Sequence, residues 1–499
     1  MQLRPTHRFL FACTLVAFTL TGDVAHAGVL PWLAQTVKDP FASEEKAAKL
    51  VAPKLKPDTC QPAETTRKLT FNDVVISVLC NNPDTRNAYT GLVIQASSYV
   101  SNYSSYLPNA AATTSRTRST TFTDTSKNTS IGSSYSLSLG MTLYDFGQRE
   151  FRLENAERAL IAAGHSYNST IQGTIAAALQ GYYALLNTQN AVVIAKISLK
   201  FAKESHDAAV LRYNLGQVPL ADKLQANNSY SASQLGMEAA ENALALQSAS
   251  LAQLMGLSPD TPIEVSDLGD DVLARDPFGG EVKTLMERAK EKRQDLMATR
   301  ESLKSSETSL KALKRSNMAS ISATTSMGIG NDHVNVFNHN GSRTQAIGFS
   351  VSIPIFTGFS QTYAEKSAEL SLEAQRRSLT QTERNVEKDV WNAWHNYETA
   401  KLSWQTAQDQ IATATQLKDV ALGRYKEGLG TILDVLNAQL QYSNALQSQL
   451  SNRFSLLTSR VDLVRAVGEL NLETMQPEAV VDSAPTIVDN TQVSNTVTQ

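Results

Sequence analysis

Hydrophobic and polar residues alternate along two stretches of the chain, and each stretch runs into a helical pattern of unusual length. Tyr135, Leu137, Leu139, Met141 and Leu143 alternate with Ser136, Ser138, Gly140 and Thr142. A period of two, with one apolar and one small polar face, predicts a strand of the kind that sits in a membrane barrel. After Tyr144-Asp145-Phe146-Gly147 the helical pattern meets no proline until Pro219. The same order then recurs: Ile347, Phe349, Val351, Ile353 and Ile355 alternate with Gly348, Ser350, Ser352 and Pro354, and a second long helix follows.

A helix over 148–212 would reach about 100 Å at about 1.5 Å per residue. Its alanines, among them Ala156, Ala159, Ala162, Ala163, Ala176, Ala177 and Ala178, allow neighbours to approach closely on more than one side. That suits a helix held within a curved wall better than a two-stranded seam of large a/d residues. Gly216 supplies a left-handed cap and Pro219 opens a returning helix, which stops at Gly256 and Pro259.

The repeat keeps one register. Arg212, Tyr213, Gly216, Asp222 and Gly256 recur as Arg424, Tyr425, Gly428, Asp434 and Gly468, and Leu137 recurs as Phe349, always 212 residues later. An internal duplication without insertions across these elements accounts for this. The first repeat covers 69–257. It begins with a helix whose N-cap is Thr70, with Asp73 in the first turn. A bend follows at Asn82-Pro83, helix resumes toward Tyr106, and a small-residue strand spans 109–121. A polar loop at 122–132 leads to the Tyr135 strand. A Pro/Gly/Asp-rich connector spans 258–280. The second repeat, 281–472, should hold one helix over 281–316, a strand over 319–330 and a polar loop over 331–345. Residues 28–68 form a lead-in and 473–499 a tail with the composition of a disordered segment.

Composition narrows the setting. The 499 residues are 42% hydrophobic and 19% charged, with a net charge of −3, so nothing favours a nucleic-acid partner. Arg4, His7 and Arg8, an apolar run from Phe9 to Leu20, and Ala25-His26-Ala27 read as a signal peptide over 1–27. Past it, no run approaches the roughly 20 apolar residues of a membrane helix. Cys60 and Cys80 would then lie in an oxidising compartment, where they are expected to form a disulfide. No metal, cofactor or catalytic site is expected: the seven histidines are scattered, and no hydrolase, P-loop or dinucleotide motif appears.

Four strands cannot close a membrane barrel, and an open sheet leaves unsatisfied edges in lipid. The barrel must therefore be shared between chains. The doubled strand-to-helix junctions (Leu143-Tyr144-Asp145-Phe146-Gly147-Gln148-Arg149 and Ile353-Pro354-Ile355-Phe356-Thr357-Gly358-Phe359) and the doubled turns (Arg212-Tyr213-x-x-Gly216 and Arg424-Tyr425-x-x-Gly428) resemble those of the TolC-like outer-membrane efflux and secretion proteins. The resemblance spans about 69–472. Cys60 with Leu79-Cys80-Asn81-Asn82-Pro83 is most similar to the type I protein-secretion branch.

The resemblance implies a mostly α fold with membrane β: a homotrimer whose 12-stranded outer-membrane barrel continues into a 12-helix periplasmic tunnel. It implies a passive duct in outer-membrane lipid, not an enzyme. The tips at Arg212, Tyr213, Gly216, Arg424, Tyr425 and Gly428 would dock on a periplasmic adaptor joined to an inner-membrane ABC or proton-driven pump. Asp434 would form an aperture ring, and Asp222 would latch to Tyr425 and Arg424 of a neighbouring tip. Against these stand plainer readings, a first-turn carboxylate for Asp434 and simple turn packing for the arginines. Asn437 and Gly430 depart from the charged tip pattern of the family. Trp391, Trp394, Trp404 and His395 are expected to pack the equator rather than bind a ligand. Small-molecule efflux is the alternative within the conduit class, and a trimeric stalk or adhesin the alternative outside it.

Overall fold

The computed structural model describes residues 39–49, 67–267, 281–335 and 338–470. The chain falls into two units, 1–42 and 43–499. Of the first, the turn at 39–42 is described, where the Ala42 amide donates to the Asp39 carbonyl at 3.3 Å. The second opens with helices α1 (Ser43–Lys49), α2 (Phe71–Asn81) and α3 (Pro83–Ser104), strands β1 (Asn109–Thr123) and β2 (Ser126–Tyr144), and helices α4 (Gln148–Asn214) and α5 (Leu220–Leu254). The order then repeats as α6 (Val282–Lys292), α7 (Gln294–Arg315), β3 (Ser320–Asn335), β4 (Asn338–Ser352), α8 (Ser360–Lys426) and α9 (Ile432–Val467). The signal peptide, Cys60, residues 268–280 of the connector and the tail lie outside the described residues.

The long helices α4 and α8 have 67 residues each, which makes them about 100 Å long. Toward the sheet, α3 and α7 pack beside them in the order α3–α4–α7–α8; toward the far end α5 and α9 do so in the order α5–α4–α9–α8. The strands form one antiparallel sheet in the order β1-β2-β3-β4, each continuing the helix that precedes or follows it. Along α8 the buried positions are Leu372 and then Val386, Val390, Ala393, Tyr397, Ala400, Ala407, Ala414, Ala421 and Tyr425. Steps of three, four and seven give a period of 3.5, which winds neighbouring helices into a left-handed supercoil. Alanine at five of these sites lets neighbouring helices come close.

The largest core lies midway along the helices, where Tyr182, Leu179 and Leu185 of α4 meet Phe71 and Val75 of α2, Leu251 of α5 and Phe454 of α9. The connector seals it. Leu69 bridges in parallel with Val265, and the Tyr182 hydroxyl donates to the Ser266 carbonyl at 2.6 Å. Thr70 and Asp73 form the reciprocal capping box at the start of α2.

Each repeat has an elbow at this level, and a glycine closes it. The first elbow, at Asn82, lets Pro83 begin α3. The second falls at Arg293, in extended conformation between α6 and α7, so the single helix expected over 281–316 is two. No proline marks this break; Arg293 makes it by pairing with Asp295 at 2.6 Å and Asp389 at 3.0 Å. Gly256 (φ +71°) lies against Asn81, and Gly468 (φ +85°) against Arg293 and Lys292, where a Cβ would meet backbone at 2.9 Å.

The polar loop expected over 122–132 is strand on both sides of a turn at 124–125, and the described residues of the loop expected over 331–345 are strand. β1 and β2 pair from Asn109↔Gly140 to Thr123↔Ser126, and β3 and β4 pair from Ser320↔Ser352 to Asn335↔Asn338. Thr-rich segments suit a strand. β4 ends at Ser352 because Pro354 has no amide to donate. The pairing Asn109↔Gly140 corresponds to Ser320↔Ser352, so the second hairpin is one residue longer. A bulge between His333 and Asn335 absorbs it.

Candidate functional site: the helical tips

At each tip the sequence dictates a Schellman turn. Gly216 (φ +69°) and Gly428 (φ +81°) take the left-handed position. The Gln217 amide donates to the Arg212 carbonyl at 2.9 Å, and the Leu429 amide to the Arg424 carbonyl at 2.8 Å. These bonds satisfy carbonyls that the ending helix leaves open. Pro219 then opens α5, and Thr431 caps α9.

The two tips of one chain are tied by Arg212. Its Nη1 donates to the Tyr425 carbonyl at 2.7 Å, and its guanidinium lies 4.7 Å from the Tyr425 ring centre. Tyr425 is fully buried among Phe201, Ala209, Ala226, Ile432 and Val435, so the tie rests on a packed anchor. Burial pushes the Tyr425 phenol above its ordinary pKa; the Arg212 charge opposes this and Asp222 adds to it. Asp222 thus acts on Tyr425 by charge within one chain. Arg424 turns to its own loop, donating to the Leu429 carbonyl at 3.4 Å. Tyr213 lies under Lys223, at 5.1 Å.

Asp434 takes the role of a helix cap. Its carboxylate accepts from the Thr431 amide at 3.0 Å and the Thr431 hydroxyl at 2.9 Å. Those bonds hold its carboxyl below the usual range, with Arg424 assisting. It remains exposed, and lines a groove of about 380 Å³ with Leu417, Val420, Arg424, Gly430 and Asn437. A side chain at Gly430 would press on the Arg424 Cβ and the Tyr425 amide, both 3.4 Å from a Cβ there. Arg212 as the tie between tips was not legible in sequence, because nothing in its spacing says which Tyr it reaches.

His395 contacts Trp391 at 4.4 Å and Trp394 at 4.8 Å, while Trp394 and Trp404 pack on the second equatorial core. Cys80 is disulfide-bonded; Cys60 lies outside the described residues. Among the described residues no cluster of His, Cys, Asp and Glu could hold a metal, and no helix is long and apolar enough to cross a membrane.

Apolar residues that would be wrong on a water-exposed sheet gather on one face. Leu137, Leu139, Ile347 and Phe349 are 50%, 43%, 83% and 75% exposed, whereas the opposite face beside them is small residues, mostly Ser, Thr and Gly with Ala111 and Ala346. At the sheet–helix junctions, Tyr144, Phe146, Phe356 and Phe359 stand exposed in pairs, as in the aromatic girdle of a membrane barrel.

Known proteins share this arrangement. The chain is 24% identical to Protein CyaE of Bordetella pertussis over 83% of its own length and 87% of the relative's. It is 23% identical to the toluene efflux pump outer membrane protein TtgC of Pseudomonas putida, over 87% and 91%. The crystal structure of the outer membrane protein VceC from Vibrio cholerae superposes with a TM-score of 0.67 at 18% identity, covering 80% of this chain and 96% of that one. The outer membrane efflux protein profile matches residues 74–257 and 285–469, one segment in each repeat. The chain belongs to the outer membrane efflux protein family.

Proposed function

We propose that three copies of this chain form a passive duct in the outer membrane, serving a tripartite exporter by type I protein secretion. The observation that carries the reading is the sheet with two free edges, β1 and β4. An open edge is not tolerated in lipid, and four strands are too few to close. Three copies give 12 strands. The helical edges repeat the demand: α5 leaves Leu224, Leu235 and Leu246 58%, 72% and 65% exposed, and α8 leaves Leu402 and Val420 63% and 57% exposed. Edge helix α5 of one copy meets edge helix α8 of the next, so a single operation closes sheet and helices together.

The lumen then takes the Ser, Thr and Gly face of the sheet, which can pass bulky polar cargo without binding it. The chain performs no chemistry; the far tips, with Gly216 and Gly428, meet a periplasmic adaptor bound to an inner-membrane pump. A second reading, small-molecule efflux, is favoured by the likeness to a toluene efflux protein. Deleting the gene separates the two. Loss of one or a few large secreted proteins with unchanged sensitivity to dyes and detergents supports protein export. Broad hypersensitivity with an intact secretome supports efflux and overturns the first reading.

A further inference from the structure

The apolar face of the sheet gives way to cations on the side away from the helices. Pairing register sets the rows: Thr114, Tyr135, Ile329 and Arg343 share one, Arg116 stands opposite Ser133 in the next, and Arg118 opposite Ile131 in the one after. Lys127 pairs with Phe122 nearer the tip, and its ammonium lies 5.4 Å from the Phe122 ring centre. Paired residues share a face and successive residues alternate. Arg116, Arg118, Lys127 and Arg343 therefore stand on the face of Leu137, Leu139 and Ile347. All four are exposed, and no described Asp or Glu of the strands lies on that face.

The opposite face at the same level carries no cation: the Ser115 and Ser134 hydroxyls lie 2.7 Å apart there, and the one charged position in its rows is the acid Asp332, in register with Gly132. The cations therefore do not line the lumen; they point where the lipid is. From Leu143 to Tyr135 the strand rises about 27 Å, or about 20 Å along the normal at a tilt of about 40°, against an apolar band of about 25 Å. The arginines begin at the top of that band, at the headgroups of the leaflet farthest from the helices.

The geometry points to a surface that binds a lipid of the outer leaflet whose headgroup carries more than one phosphate. Arg116 and Arg118, two residues apart on one face, sit about 7 Å apart, a spacing that serves two phosphates rather than one. Guanidinium forks suit phosphate oxygens, and basic clusters at a bilayer surface gather anionic headgroups. Resting on the closed trimer proposed above, β4 of one copy lies beside β1 of the next, so Arg343 joins Arg116 and Arg118 at each seam. The lipid thus bridges two copies where no covalent bond does.

The test is native mass spectrometry of the full-length purified protein. It is mixed in turn with bisphosphorylated lipid A, its dephosphorylated form, phosphatidylglycerol and inorganic phosphate. Wild type is expected to retain the bisphosphorylated lipid about tenfold over the dephosphorylated form. The triple variant R116Q/R118Q/R343Q is expected to lose that preference, and R116K/R118K/R343K to keep most of it. Equal retention of both lipid A forms by wild type, or unchanged preference in the glutamine variant, overturns the lipid site. So does a preference for phosphatidylglycerol, or displacement of the lipid by millimolar phosphate. The mass of the complex reads the assembly separately: a species of other than three chains overturns the closed barrel and the seam with it.

Discussion

Replacing Gly468 by Ala isolates the contact that closes the second elbow. The left-handed position alone costs an L-residue about 1–2 kcal/mol, partly offset by a stiffer unfolded chain. Gly216→Ala meets only that, since nothing lies within 4 Å of a Cβ there; its net cost is about 1 kcal/mol. Gly468 has the same hand (φ +85°), but its Cβ would fall 2.9 Å from the Arg293 amide nitrogen, the Arg293 Cα and the Lys292 carbonyl carbon. Backbone of a helix end cannot swing aside like a long side chain, so overpacking adds about 1–3 kcal/mol. Hydrogen exchange of the amides around 285–296 reads the elbow's local opening. Since each 1.4 kcal/mol is about tenfold, G468A should speed exchange there by about five- to a hundredfold. G216A should leave that region unchanged and loosen only its own tip. Equal exchange at the elbow in G468A and wild type would refute the reasoning.

Arg212→Gln removes a charge-assisted bond between the tips, a contact worth about 1.5–3 kcal/mol when shielded. Amides flanking both turns should exchange about tenfold faster, and unchanged protection at 424–430 would show that the tie carries no load. Partial burial works to raise the pKa of Asp295, but the Arg293 bonds outweigh that and lower it; Asp434 is lowered too, by its cap. A depressed folded pKa gives stability above the unfolded value that is lost as pH falls through the folded one. The melting temperature of the purified protein should therefore drop below about pH 4, and D295N should flatten that slope; a slope identical in D295N would contradict this. Peptide mapping without reductant should recover Cys60 linked to Cys80, and any other partner for Cys80 would refute the pairing.

Much of the fold was legible because its signals are periodic. The 212-residue repeat, the strand alternation and the proline-free helices each rest on patterns that survive any detail of packing. The elbow at Arg293 was not, because an ion pair rather than a proline makes it. The full length of the hairpins was hidden since Ser- and Thr-rich strands and polar loops share a composition. At the tips, the turns followed from Gly216 and Gly428, whose backbone conformation is local. Which arginine reaches which tyrosine is a property of how two hairpins pack, and the shared motif does not encode it: Arg212 and Arg424 both open an Arg-Tyr-x-x-Gly turn and have different partners.

The central claim is that the assembled chain is an open path through a membrane. Purified protein inserted into planar lipid bilayers tests this directly, with its mass measured in the same preparation. Discrete ion-conducting steps from a three-copy species are predicted, with larger steps in R212Q as the tips part. Inserted three-copy protein that never conducts, in wild type and R212Q alike, would contradict the account.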